Sequence, residues 1–370
     1  MKMKRLALLV LVLVLMVTSA QAGIVFRDAT NYEDAPAQET VQGESGEILF
    51  GSESSAGATG DEGWPRKIVV TVGGDTTLGC TDSQRTREGG FARVIKDKGY
   101  GWPFSELLSV FGQDDLTLLN FEGTLTESED KVEKQFNFKG PAEYAQMLVI
   151  GSVEAVNLAN NHYGDYGDEG KADTKAALES YGIYYSAQGE PVIYETRGVK
   201  IGLIGNTFPY KDGKRDISKD VKALRDEGCQ IVLASFHWGS EYKDYNRDQR
   251  NIGRAAIKAG VDAVIGHHPH IVQPIEKYED TYILYSLGNL VFGGNTDPDD
   301  RDTYIAQFTF TVYEDGKVDP PELKILPMRL TAERDGTDYR PVFAEGETYD
   351  RILKRILGSS INMEGFVNPD

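Results

Sequence analysis

The chain has 370 residues and a formal net charge of −19 at neutral pH, from 58 acidic and 39 basic side chains. Such an acidic balance excludes nucleic acid and anionic membrane surfaces as natural partners. Two cysteines, Cys80 and Cys229, are too few for a disulfide scaffold.

Lys2, Lys4 and Arg5 precede an apolar run over residues 6–17, and Thr18-Ser-Ala-Gln-Ala22 follows. A basic start, a short apolar stretch and a small-residue cleavage pattern predict a signal peptide over residues 1–22. The mature protein is then extracellular or held at the cell surface. The run falls short of the ~20 apolar residues of a membrane span, so an uncleaved N-terminal anchor is the lesser reading. Residues 23–65 hold nine acids and one basic residue, Arg27, among many Gly, Ser, Ala and Thr. That composition buries too little apolar surface to offset its ordering entropy, which predicts an acidic flexible linker.

From residue 66 onward, runs rich in β-branched residues recur at α/β spacing, at 68–72, 116–121, 155–159, 199–205, 231–236, 261–265 and 282–287. Helical stretches at 103–111, 141–150, 169–181, 221–227 and 247–259 lie between them. The last shows Ile252, Ala255, Ala256 and Ala259 at helical spacing, with Gly260 as its stop. Strands buried on both faces read as continuous apolar runs, so the pattern predicts a layered α/β fold with largely parallel central strands. Residues 303–313 alternate instead, which predicts a half-exposed strand paired with 323–330. A domain over residues 66–330 without a long structureless gap is expected, followed by a C-terminal extension, 331–370, with a short amphipathic helix at 349–357.

All five histidines fall in three short motifs, each after an apolar run: His162, His237, and Gly266-His-His-Pro-His270. Imidazoles gathered only at strand ends point to one site built from several loops, and a metal is the commonest reason to gather them. Three imidazoles in four residues have little use in a plain turn, and Pro269 stiffens the loop that presents them. Asp75 follows two glycines at the end of the first strand, where ligands bind in open α/β sheets. Asn120 and Glu122 alternate with apolar neighbours at the end of the second, so both can face one side. Asn161 and His162 offer an amide oxygen and an imidazole, with Asp165 placed to orient the ring. Taken singly, the Gly-Asp turn, the Asn-Glu strand end and the lone His237 read as ordinary structure; Ser286 and Asn289 read as part of a buried strand and turn.

In this order, the pieces resemble the CapA/PgsA family of poly-γ-glutamate capsule biosynthesis proteins, related to calcineurin-like metallophosphoesterases. The resemblance covers residues 67–292. It rests on Gly74-Asp-x-x-Leu78, Asn120-Phe-Glu-Gly-x-Leu-Thr126, Ala159-Asn-Asn-His-x-x-Asp-x-Gly167, His237-Trp-Gly-x-Glu-Tyr242, Gly266-His-His-Pro-His270 and Tyr285-Ser-Leu-Gly-Asn289. It implies a four-layer α/β/β/α sandwich with one or two divalent ions, Mn, Zn or Fe, at the strand ends. Asp75, Glu122, Asn161, His237 and two of His267, His268 and His270 take the metal-ligand positions, while His162 with Asp165 takes the general-acid position. Thr77 stands where the related enzymes place a second histidine of the first motif, a departure that leaves one metal position short of a ligand. The resemblance further implies an exported metal-dependent hydrolase of the phosphoesterase type, acting on an anionic polymer or small molecule beside membrane-bound polymer synthase components. Its rivals are a non-catalytic polymer-binding or export subunit and a secreted phosphoesterase.

Overall fold

The apolar runs become strands of two sheets in a computed structural model that describes residues 25–26, 63–208 and 217–369. The predicted signal peptide and nearly all of the predicted linker lie outside the described residues. Among the described residues no helix is long and apolar enough to cross a membrane.

In chain order the first strands are β1 (Val25–Phe26), β2 (Arg66–Thr77), β3 (Leu116–Phe121), β4 (Thr124–Leu125), β5 (Lys139–Gly140), β6 (Ala155–Asn157), β7 (Tyr184–Ser186) and β8 (Val192–Thr196). They are followed by β9 (Val199–Thr207), β10 (Ile231–His237), β11 (Ala263–His267), β12 (Ile275–Tyr278), β13 (Thr281–Leu284), β14 (Asn289–Phe292), β15 (Asp302–Val312), β16 (Glu322–Arg329) and β17 (Val342–Phe343). The helices are α1 (Phe91–Lys98), α2 (Leu108–Phe111), α3 (Gln146–Ile150), α4 (Gly167–Ser180), α5 (Ser218–Asp226), α6 (Arg247–Lys258) and α7 (Gly346–Leu357).

One sheet runs β1-β8-β9-β10-β11-β13-β12; the other runs β17-β16-β15-β2-β3-β6-β7, with β14 beside β2. The central strands of each are parallel: β9, β10, β11 and β13 in the first, and β2, β3, β6 and β7 in the second. Three apolar layers explain how they stack. Val70, Val72 and Leu118 of one sheet meet Leu203, Leu233 and Ile265 of the other in an inter-sheet core. Leu119, Val156 and Ile305 turn outward onto Phe91, Leu148 and Leu178 from α1, α3 and α4. Val232, Ala234 and Val264 pack on Leu224, Ala256 and Ile257 of α5 and α6. Successive residues of a strand therefore serve opposite faces, and both faces are apolar. The result is the α/β/β/α sandwich that the family resemblance implies.

Several elements differ from expectation. The helix expected over 103–111 begins as a 3-10 turn, Trp102–Phe104, around Pro103 and resumes only as the short α2. The one expected over 141–150 begins as a 3-10 turn, Ala142–Ala145, directly after Pro141 and continues as α3. Strand β15 is buried on both faces through Ala306 and half-exposed only beyond it, because Ile305 packs beneath the helices while Tyr304 and Ala306 face the inter-sheet core. Between β4 and β5, residues 126–138 form neither helix nor strand, a gap the apolar pattern does not announce. Side chains hold that loop instead: Asn137 Nδ2 donates to the Asp165 and Val132 carbonyls, and Lys139 Nζ reaches Ser128 O at 2.6 Å.

The C-terminal segment completes the core. Ile352 and Ile356 of α7 are fully buried between the sheets, and Val342–Phe343 pairs with β16. Arg351 and Arg355 grip Asp300 and Asp302, which fixes α7 against the loop leading into β15. Cys80 and Cys229 are free and buried in different apolar layers.

Candidate metal centre

The carboxyl ends of β2, β3, β6, β10 and β11, drawn from both sheets, deliver their polar residues to one edge. The register between β2 and β3 slips by one residue between Val72 and Asp75. This bulge falls on Gly73-Gly74, and it re-aims the strand end. A Cβ on Gly74 would lie 2.0 Å from the Gly288 carbonyl oxygen, the same atom that accepts from the Asp75 N–H at 3.0 Å. Only glycine allows that approach.

Asp75 stands opposite Asn120, and Asn120 opposite Asn157, across three neighbouring strands. Asn157 Nδ2 donates to Asn120 Oδ1 at 2.8 Å, and Asn120 Nδ2 donates to Asp75 Oδ1 at 2.8 Å. This buried row fixes one Asp75 oxygen. The other accepts the His268 N–H at 3.2 Å and lies 3.3 Å from His270 Nδ1. His270 Nδ1 is also 2.8 Å from Asn289 Oδ1, so Asn289 orients an imidazole.

Glu122, one residue beyond β3, is fully buried, and neither carboxylate oxygen has a hydrogen-bond partner among the described residues. Its Oε1 faces three imidazoles: His162 Nε2 and His237 Nε2 at 3.8 Å, and His270 Nε2 at 4.0 Å. After β6, Asn160 anchors the turn through Nδ2 to Phe121 O at 2.6 Å and accepts the His162 N–H. Asn161 Oδ1 then lies 2.8 Å from His237 Nε2. His162 Nδ1 is 2.8 Å from Asp165 Oδ2, and Lys134 Nζ sits 2.5 Å from Asp165 Oδ1 and 3.1 Å from His162 Nδ1. The Phe138 N–H donates to Asp165 at 2.7 Å, and the Phe138 ring covers His162 at 4.4 Å between centroids.

His237 and His267 are register partners on β10 and β11. Beyond β11 the backbone turns sharply, with His268 at φ 96° and His270 at φ 58°, on either side of Pro269. Non-glycine residues in this region store strain, which collects at functional sites. The turn carries His268 and His270 toward Glu122, whereas His267 stays on the strand, its Nδ1 3.6 Å from Asp75 Oδ1 and that atom without a hydrogen-bond partner among the described residues.

Burial pushes the Glu122 carboxyl up to about 8; the His270 charge opposes the rise and the Asp75 charge adds to it. For His270, burial favours the neutral ring, but Glu122 and the Asp75 hydrogen bond outweigh it and raise the group to about 10. Burial also raises Asp75, and the hydrogen bond and charge of His270 more than reverse this, leaving it below the usual carboxylate range. Burial takes His267 down to about 4 and His237 well below an ordinary histidine; it lowers His162 too, against Asp165.

Two donor triads share Glu122. Asp75, Glu122 and His270 form one, and Glu122, His237 and His268 the other, the donor atoms of each lying within 4.8 Å of one another. A buried carboxylate with both oxygens orphaned, ringed by imidazoles that burial holds mostly neutral, is a donor set that a divalent cation satisfies and no side chain does. The residues fit the metal. His267 belongs to neither triad. Thr77 is buried with its hydroxyl unpartnered among the described residues and offers no imidazole to the Asp75 triad.

Asn157, Asn289, Lys134 and Glu241 escape a reading by ligand type. Asn157 leaves a trace as an amide inside an apolar strand run, and Asn289 and Glu241 stand in the motifs Tyr285-Ser-Leu-Gly-Asn289 and His237-Trp-Gly-x-Glu-Tyr242, whereas nothing in the sequence marks Lys134.

The family profile described as "Bacterial capsule synthesis protein PGA_cap" matches residues 69–294. The chain is 32% identical over 224 residues to "PGA biosynthesis protein CapA" of Bacillus subtilis (strain 168), covering 54% of this chain and 59% of that protein. It is 26% identical over 255 residues to "Capsule biosynthesis protein CapA" of Bacillus anthracis, covering 61% and 60%. The matches thus span about three fifths of those relatives' lengths. A "Probable polyglutamine synthesis accessory protein" of Mycobacterium tuberculosis (strain CDC 1551 / Oshkosh) is 26% identical over 332 residues, covering 74% of this chain and 87% of that one. A crystal structure of a hypothetical protein from Thermus thermophilus aligns with a TM-score of 0.44 and 14% identity, over 70% of this chain and 99% of that one.

Proposed function

Because the chain belongs to the PGA_cap family of bacterial capsule synthesis proteins, we propose that it is an exported, metal-dependent hydrolase acting in poly-γ-glutamate or related envelope-polymer metabolism. The observation that carries this reading is Glu122: a fully buried carboxylate, unpartnered among the described residues, at the junction of two donor triads. Asp75, Glu122 and His270 would hold one ion; Glu122, His237 and His268, with Asn161 beside His237, would hold a second. When bound, such a cation supplies Lewis acidity toward a phosphoryl or acyl oxygen and acidifies a water.

The chain's own residues do the rest. Asp165 occupies His162 Nδ1 and leaves Nε2 for the pocket. Burial lowers His162 below an ordinary histidine and Asp165 opposes this, so Asp165 would stabilise the imidazolium that His162 becomes before it passes its proton to a leaving group. Lys134 holds the outer Asp165 oxygen, and Phe138 shields the ring from water. The relatives' names, which speak of PGA biosynthesis and of a polyglutamine synthesis accessory protein, support a place beside polymer-synthesis components; in this reading the substrate is an anionic polymer. A cation centre would offset the repulsion between that polymer and an acidic protein.

Thr77 supports one alternative, a metal-containing subunit that binds or escorts the polymer without cleaving it. Metal analysis of residues 23–370, paired with turnover assays on phosphoesters and γ-glutamyl polymers, separates the two. Stoichiometric metal with turnover that Asp75→Ala abolishes is the expected result. Metal and polymer binding without turnover would select the escort, and a native chain without stoichiometric metal would overturn both.

A further inference from the structure

Glu241 stands outside the ligand set taken from family motifs, yet it completes a third group with His268 and His270, the three donor atoms lying within 4.8 Å of one another. His268 belongs to one of the inner triads and His270 to the other. Sharing one ring with each triad places Glu241 beside both ion positions, with the Asp75 and Glu122 donors outside its own 4.8 Å group. Glu122 meets the same two positions from the buried side, while Glu241 is exposed and meets them from the open side.

The backbone holds Glu241 there. Trp238 donates its N–H to His267 O at 3.1 Å and its indole N–H to Tyr285 O at 2.8 Å, which fixes the start of the turn. Gly239 at φ 81° and Tyr242 at φ 55° bend the chain back over the pocket. The Tyr242 N–H then donates to Pro269 O at 2.9 Å, tying the Glu241 turn to the loop that carries His268 and His270. The two loops form one hydrogen-bonded rim, and Glu241 lies between its anchor points.

Thr77 gives this placement a purpose. Without an imidazole at that position, Asp75, Glu122 and His270 supply three donors. Closed divalent sites with nitrogen and oxygen ligands commonly take four. We propose that Glu241 is an open-side metal ligand, shared by the two ion positions opposite Glu122, which supplies the donor that Thr77 does not. The proposal rests on the reading of this pocket as a metal centre.

Calorimetric titration of the metal-stripped protein with Zn²⁺ tests it, beside the visible absorption of the Co²⁺-loaded form, which reports coordination directly. Glu241→Gln is expected to weaken Zn²⁺ binding by about tenfold or more, a scale at which even groups behind the ligands act. It should also alter the cobalt spectrum while leaving metal-free thermal unfolding unchanged. Glu241→Gln binding Zn²⁺ within twofold of native, with the same cobalt spectrum, would overturn the proposal. In that case weakened binding by Glu122→Gln would leave the metal centre standing. If the native protein and Glu122→Gln both bound no Zn²⁺, the metal-centre reading itself would fail.

Discussion

Replacing Glu122 by glutamine separates a buried acid from a metal ligand, because the two roles predict opposite signs. Both Glu122 oxygens are buried and unpartnered among the described residues, and burial raises the group to about 8, against 4.5 for a free glutamate. A raised acid pKa means that the folded state holds the proton more tightly than the unfolded state. The stability tied to that proton is complete below the unfolded value and is lost as pH rises toward 8. At pH 8 without metal, native protein therefore carries a penalty on the order of 4 kcal/mol that a neutral amide escapes. In chelator, Glu122→Gln should melt several degrees above native. Metal then reverses the order. Two ions, each at 1,000 times its Kd, stabilise native protein by about 8 kcal/mol, whereas the variant has lost the carboxylate common to both triads. Differential scanning calorimetry at pH 8, in chelator and then in excess Zn²⁺ or Mn²⁺, reads both halves. A variant that melts below native in chelator and gains the same shift with metal would show that Glu122 is only a structural acid.

Other changes probe separate parts. Burial raises Glu154, whose Oε2 accepts the Thr117 N–H at 2.7 Å, to about 8, with Asp114 nearby at about 7. Glu154→Gln keeps an acceptor and removes the ionisation, so urea unfolding should show it gaining about 4 kcal/mol over native at pH 8.5 relative to pH 5; an equal difference at both pH values refutes this. Asp165→Asn should leave metal stoichiometry intact and lower turnover by about 10²-fold or more, with a changed pH–rate profile as His162 loses its charged partner; an unaltered profile would deny His162 its proton-transfer role. Ile352→Ala should cost about 2–4 kcal/mol in denaturant unfolding, because its side chain fills the inter-sheet core. A loss below about 1 kcal/mol would mean that α7 is an appendage.

The strand framework was legible because strands buried on both faces must be apolar throughout, and donors at their ends then stand out. Short strands such as β8 and β12 escaped because four or five residues carry too little periodicity to separate from a loop. The row Asp75–Asn120–Asn157 was hidden for another reason: it exists only in the register between strands, which no single strand encodes. His267 and His268 were indistinguishable as letters. What parts them is that His267 ends a strand, whereas the next residue takes a positive φ and swings its ring to the pocket. Glu241 belongs to a legible motif, but its approach to His268 and His270 depends on the Tyr242–Pro269 hydrogen bond between two loops.

The pairing of β2 with β15 sets an order of events. Val72 lies beside Ala306, and Thr71 beside Gln307, so the strand that presents Asp75 gains its second neighbour only when a segment more than 200 residues later has arrived. Closing so long a loop is entropically costly and slow. A chain threaded across a membrane from its N-terminus would emerge with Asp75 early and β15 late. The strand carrying the first ligand would wait, half-paired, until most of the protein had crossed. If the chain is exported unfolded and binds metal as proposed, this topology would place metal loading after translocation, and the ions would come from the compartment of arrival.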